Sequence, residues 1–357
     1  MRSFQHPVTY AFKRKEVKKW LRSGKTSILT SFGTTAESRQ KSMSRLERKS
    51  NKGGKRMRRK LSLLIIVLLA ITGCAVLTPS QRSEVEKFGK ATAAYSAFPS
   101  EVMVAHAELH ANVKLANAST ALTGENALRL LDEAGRFGGA VEKKARRAKS
   151  ACSVLKRYGD LLTALTADAH APRLQAGAEE AGGALDDAIK EYNKLSKSSV
   201  PLFGNAAAAA VRGAGGLYVK RRQSIALRQA VRDGKPAVAE MARAVSDLLD
   251  LYYAEEPEAG LNLIASTRDD LRNWYKAVGY KDRMPAARAV FHHLRKAEAA
   301  EKLARKAQAG IDTLVVAHEN LYGKVNERAT LAYAIETVQV FADEVNAAKD
   351  LYEQLSD

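Results

Sequence analysis

Cysteine is nearly absent: the 357 residues contain two, Cys74 and Cys152. Two thiols exclude a disulfide-stapled scaffold, and a domain of this length buries enough apolar surface to need none. Aromatic residues are also scarce, at 6 %. Beyond Pro79 there is neither an alternating apolar/polar run nor an Asn-Gly hairpin signal, which excludes a sheet-based fold. Patterns that carry chemistry are missing too. Nothing resembles a nucleophile elbow. The acidic pairs Asp186-Asp187 and Asp269-Asp270 lack a context that would make them acid and base. Ser23-Gly24-Lys25-Thr26 imitates the end of a phosphate-binding loop, but Lys19 stands where that loop needs its first glycine. No catalytic residue and no cofactor is expected, and the chain reads as a non-enzyme.

Positive charge is abundant but confined. The formal net charge is +19. Residues 1–73 hold 19 Lys and Arg against 3 Asp and Glu, whereas residues 74–357 hold 39 against 36. The basic character therefore belongs to the N-terminal stretch. A nearly balanced remainder lacks the electrostatic footprint of a DNA- or RNA-binding protein, so no nucleic-acid partner is expected.

Within that stretch, Met57-Arg-Arg-Lys precedes an uncharged apolar run from Leu61 to Ile71, followed by Thr72-Gly73-Cys74. A basic segment, an apolar segment and a small-residue cleavage site are the parts of a secretory signal. Ile71-Thr72-Gly73-Cys74 resembles the lipobox of bacterial lipoproteins. The resemblance covers residues 57–75 and implies cleavage before Cys74, with a diacylglycerol joined to its thiol. Ala75 after the cysteine resembles the outer-membrane pattern, which implies the periplasmic face of that membrane in a Gram-negative host. The alternative is an uncleaved anchor extending to Leu77, at the lower edge of what spans a bilayer. Residues 1–56 are expected to be an untranslated product of a misassigned start, or a basic disordered extension. The purine-rich codons available to Lys52-Gly53-Gly54-Lys55 suit a ribosome-binding sequence ahead of Met57.

Residues 74–79 are expected as a tether and 80–357 as an elongated, antiparallel, all-α bundle of about nine helices, with a possible division at 197–205. Apolar residues recur every three or four positions. One stripe runs Leu331, Ile335, Val338, Ala342, Val345, Ala348, Tyr352 and Leu355; another runs from Leu131 and Ala134 through Ala148, Cys152 and Leu155 to Leu165. Pro172, Pro236, Pro257 and Pro285 mark helix starts, and Gly234, Gly279 and Gly323 mark helix ends. The predicted helices are 80–97, 100–121, 124–169, 172–198, 206–232, 236–254, 257–278, 285–322 and 324–356, with short links implying antiparallel neighbours.

His106 and His110 share a helix face at metal-clasping spacing. Their setting, His106-Ala-Glu108-Leu-His110, lacks the glutamate beside the first histidine that a zinc protease needs. No metal is expected. Cys152, on an apolar stripe, reads as a small core residue. The best interaction candidate is 271–296, where Arg272, Trp274, Tyr275, Tyr280, Arg283 and Phe291 gather with one acid, Asp282. Aromatic and arginine residues together favour binding interfaces. The expected partners are the membrane, through Cys74, and an envelope protein or polymer. The alternative is a periplasmic small-molecule or metal-binding bundle.

Overall fold

A computed structural model describes residues 76–135, 139–212, 218–253, 263–326 and 331–356. All of them lie in one compact unit, Val76–Asp357, distinct from Met1–Ala75. The unit is an all-α bundle. Its helices are α1 (Pro79–Tyr95), α2 (Phe98–Ser119), α3 (Gly124–Gly135), α4 (Gly139–Thr166), α5 (Ala171–Ser196), the six-residue α6 (Gly204–Ala209), α7 (Val219–Tyr253), α8 (Leu263–Ala277), α9 (Arg283–Asn326) and α10 (Leu331–Ser356). A short 3-10 turn, Tyr280–Asp282, joins α8 to α9.

Local chemistry explains where α1 begins. Thr78 Oγ1 accepts from the Gln81 amide at 3.2 Å while Gln81 Oε1 accepts from the Thr78 amide at 2.9 Å. Pro79 follows at the first helical position, where no amide is needed. Leu77, within the stretch expected as a tether, is buried, and its amide donates to Ser224 Oγ at 2.9 Å.

Long-range contacts set helix directions. Lys235 pairs with Glu319 at 2.9 Å and Gln308 Nε2 donates to Ser246 Oγ at 3.0 Å, so α7 and α9 are antiparallel. Tyr95 Oη donates to the Ala307 carbonyl at 2.8 Å and Lys296 pairs with Glu108, so α1 and α2 run on, head to tail, along α9. The short α1–α2 link therefore does not reverse the chain, contrary to the antiparallel rule. At 1.5 Å per residue the 44-residue α9 is about 66 Å long. Leu77 and Ser224 lie at its C-terminal end, about 50 Å from Phe291 along the axis.

Small residues let these helices approach closely. A Cβ on Gly89 would sit 2.8 Å from the Gly159 carbonyl oxygen, and one on Gly159 would sit 2.8 Å from the Ala93 amide nitrogen. Backbones of α1 and α4 thus touch directly. Phe88, Tyr95 and Phe341 form a ring cluster beside this contact, and one apolar core runs from Leu77 to Ala348.

Four sequence expectations change. The helix expected over 206–232 is not continuous: α6 ends at Ala209 and α7 begins at Val219. The helix expected over 124–169 is two helices: α3 folds back on α2, where Glu133 meets Lys114 at 3.3 Å, and α4 restarts at Gly139. Leu131 accordingly leaves the buried stripe and is exposed, whereas Ala148, Cys152, Leu155, Leu162 and Leu165 are buried as expected. The break expected at Gly234–Pro236 does not occur, because α7 continues through Pro236. Proline in a helix interior costs about 3 kcal/mol. Burial of Leu227, Val231, Val238, Met241 and Val245 on both sides offsets that cost. Gly234 serves contact instead: an added Cβ would lie 2.8 Å from the Tyr158 ring. Finally, α9 passes Gly323 and ends at Asn326. Pro257 lies outside the described residues.

The segment 197–205 is tied down by side chains. Asp186, buried on α5, accepts from the Gly204 amide at 2.7 Å, the Asn205 amide at 3.0 Å and Asn205 Nδ2 at 2.8 Å. It thereby satisfies the otherwise open N-terminus of α6. Glu240 on α7 collects Arg147 (2.8 Å), Tyr192 Oη (3.0 Å) and Ser198 Oγ (3.2 Å), linking α4, α5 and that same segment.

Candidate functional site

Two regions hold the residues singled out by sequence. The first lies between α2, α7 and α8. His106 is buried, and its Nε2 lies 3.2 Å from the Leu263 carbonyl oxygen, an acceptor, so the proton sits on Nε2. Thr267 Oγ1 donates to the same carbonyl at 2.8 Å. The Tyr252 ring meets His106 edge-on at 5.1 Å, and the His110 ring stacks on it at 6.1 Å. Burial drives the His106 pKa down to about 4, against the Leu263 hydrogen bond; the nearby His110 lowers it further. His110 is also lowered, first by burial and then by Lys114, with Asp270 and Glu133 opposing. Both imidazoles are therefore neutral at pH 7, and the pair orients α8 on α2. Among the described residues no group of three His, Cys, Asp or Glu side chains is placed to hold a metal ion.

Other candidates are sealed in the core. His318 Nε2 lies 2.8 Å from Tyr158 Oη, and burial lowers the histidine to about 3 while raising the phenol. Burial pushes the Cys152 thiol up to about 12, so no thiolate forms at neutral pH.

The second region is the end of the bundle away from Leu77. His106 contacts Leu263 and Thr267, and Asp270 acts on His110 one turn further along, so α8 runs parallel to α2, and both end there beside the start of α9. Arg272, Tyr275 and Arg283 are exposed at this end; Arg272 pairs with Asp269 at 3.2 Å. Trp274 departs from the expectation: it is half-buried, and its indole Nε1 is enclosed without a hydrogen-bond partner among the described residues. The side chain of Tyr280 lies outside the described residues, as do Ile71, Thr72, Gly73 and Cys74. Sequence reasoning missed Leu115, Leu122, Leu128 and Met284, all exposed at the same end. The missed signal was local. Leu128 and Leu131 sit in a short helix bounded by Gly124 and Gly135, and no residue of that helix is buried.

The described fold is that of an all-α helical bundle. No protein-family model matches the chain, and no curated protein or solved structure shows significant similarity to it. Among the described residues no helix is long and apolar enough to cross a membrane.

Proposed function

We propose that the chain is a non-enzymatic lipoprotein of the cell envelope, held to the membrane by a lipid on Cys74, whose helical bundle acts as a scaffold or interaction module. The observation that carries this reading is Ile71-Thr72-Gly73-Cys74 after a basic and then an apolar segment. Confinement of positive charge to residues 1–73 supports it. The position of Leu77 supports it too. Leu77 is three positions on from Cys74, a reach of at most about 11 Å, so a lipid there holds the bundle by one end and leaves the other about 60 Å away. An exposed aromatic and basic surface at the free end suits a module that meets another envelope component, protein or polymer. The resemblance further implies the periplasmic face of an outer membrane.

The test is metabolic labelling of the full chain with radioactive palmitate, with Cys74→Ser as control. Label is expected on the parent and not on the variant; equal labelling of both refutes the anchor. One observation favours a second reading, a bundle that binds a small molecule or metal between α2, α7 and α8. Tyr252 Oη is fully buried beside His106 and has no hydrogen-bond partner among the described residues, an orphan donor that a ligand would satisfy. Native mass spectrometry and metal analysis of residues 76–357 would detect such a ligand.

A further inference from the structure

Four helix ends meet at the end of the bundle remote from Leu77: the C-termini of α2 and α8 and the N-termini of α3 and α9. Large apolar side chains stand out from it. Leu122, in the link between α2 and α3, is 99 % exposed; Leu128 and Met284 are each 67 % exposed, and Phe291 is 64 % exposed. Other apolar side chains near this end are covered: Val113 on α2, Leu271 on α8 and Ala286 on α9. On α9, Met284, Arg288, Phe291 and Arg295 recur at steps of four, three and four along the outer face, all exposed. The Arg295 guanidinium lies 6.0 Å from the Phe291 ring.

The charge along α8 and α9 is mostly of one sign, whereas α3 carries Glu125, Asp132 and Glu133 against Arg129. Residues 271–296 hold seven Lys and Arg against one acid, Asp282. Lys276, Lys281 and Arg288 are exposed and have no acidic partner among the described residues. We propose that this end of the bundle docks on an anionic lipid surface, with Leu122, Leu128, Met284 and Phe291 entering between headgroups and Lys276, Lys281 and Arg288 meeting their phosphates.

The shape and charge favour a lipid over other occupants. Leu122 lies in an interhelical link and Met284 in the first turn of α9, so both project at helix ends, with Leu128 one turn and Phe291 two turns further along their helices. Projecting apolar groups with a basic rim suit shallow insertion at a bilayer interface. A bound amphipathic helix would instead need a groove. A second copy of this chain would bring Lys276, Lys281 and Arg288 against their own equivalents, and like charges brought together oppose pairing. This contact goes beyond the lipid on Cys74 and does not depend on it.

The test uses residues 76–357, which form one compact unit with its own core and lack Cys74. Its outcome is therefore separate from that of palmitate labelling. Flotation with phosphatidylcholine vesicles, with and without phosphatidylglycerol, reads the partition coefficient. The fragment is expected to float with the phosphatidylglycerol vesicles and to be released by salt. Changing Leu122, Met284 and Phe291 together to Gln is expected to lower partitioning by at least about tenfold. Changing Lys276, Lys281 and Arg288 together to Glu is expected to lower it about a hundredfold. All six positions are exposed, so circular dichroism and the thermal midpoint should be unaltered. The matched set Lys143→Glu, Lys144→Glu and Lys149→Glu, on an exposed face of α4, should leave partitioning unchanged. The proposal is overturned by absence of flotation, by equal flotation with both vesicle types, or by an equal loss in the matched α4 set. A tip-dependent dimer that ignores vesicles, or capture of an acidic protein in their place, also overturns it.

Discussion

Replacing Gly159 by Ala and Gly177 by Ala should change stability in opposite directions. Both glycines lie inside helices, so each substitution removes unfolded-chain freedom and gains about 0.5–1 kcal/mol of helix preference. At Gly177 on α5 nothing lies within 4 Å of the added methyl, and the gain should appear in full. At Gly159 the methyl would meet the Ala93 amide nitrogen at 2.8 Å and would also press on the Gly89 carbonyl oxygen. Both are backbone atoms, which cannot turn aside as a side chain can. The α1–α4 contact must open by roughly 1 Å, and overpacking of this kind costs about 1–3 kcal/mol. Moving α1 also loosens Val85 and Phe88, both fully buried. The expected net result is a loss of about 1–2 kcal/mol for Gly159→Ala beside a gain of about 0.5–1 kcal/mol for Gly177→Ala. Urea unfolding of residues 76–357, followed by circular dichroism, reads both. Stabilisation by both substitutions would refute the direct backbone contact.

Acid should weaken the fold as soon as pH falls below the ordinary histidine range. His318 and His106 have folded pKa values lowered to about 3 and about 4, against an ordinary 6.5. Below pH 6.5 the unfolded chain binds protons that the folded chain refuses, so stability present above that pH falls as pH drops toward 3–4. Each site contributes up to about 1.4 kcal/mol per pH unit. Urea midpoints at pH 7.5 and 5 should show the fall, and His318→Gln should flatten it; an unchanged slope in that variant would contradict neutral burial. Asp186→Ala should cost about 2–3 kcal/mol, because two amides and a side-chain amide lose a charged acceptor. Limited proteolysis should then cut first within 197–205, and cleavage elsewhere would count against the capping role.

Much of the fold was legible because its signals are local. The capping pair of Thr78 and Gln81, Pro172 near the start of α5, and Gly279 after α8 declare helix edges to their immediate neighbours. The buried stripe from Ala148 to Leu165 follows from helical periodicity alone. Within the candidate site, Arg272, Tyr275 and Arg283 were legible from composition. Trp274 was not, because whether an indole turns inward depends on which helix lies beside it. Leu128 was hidden for a related reason: it reads as part of one 46-residue helix whose buried stripe begins at Leu131, and only the fold-back of α3 on α2 leaves it exposed.

The sequence by itself determined the helical class, the positions able to form a core, and the separation of a basic N-terminal stretch from a balanced remainder. These rest on interactions within a few residues or on composition. The tertiary structure alone decided that α7 continues through Gly234 and Pro236, that the expected 124–169 helix is two, and that four helix ends converge beside exposed leucines. Those outcomes depend on residues far apart in sequence. The ring of Tyr158 against Gly234, the meeting of Lys114 with Glu133, and the pairing of Lys296 with Glu108 exist only after the helices pack.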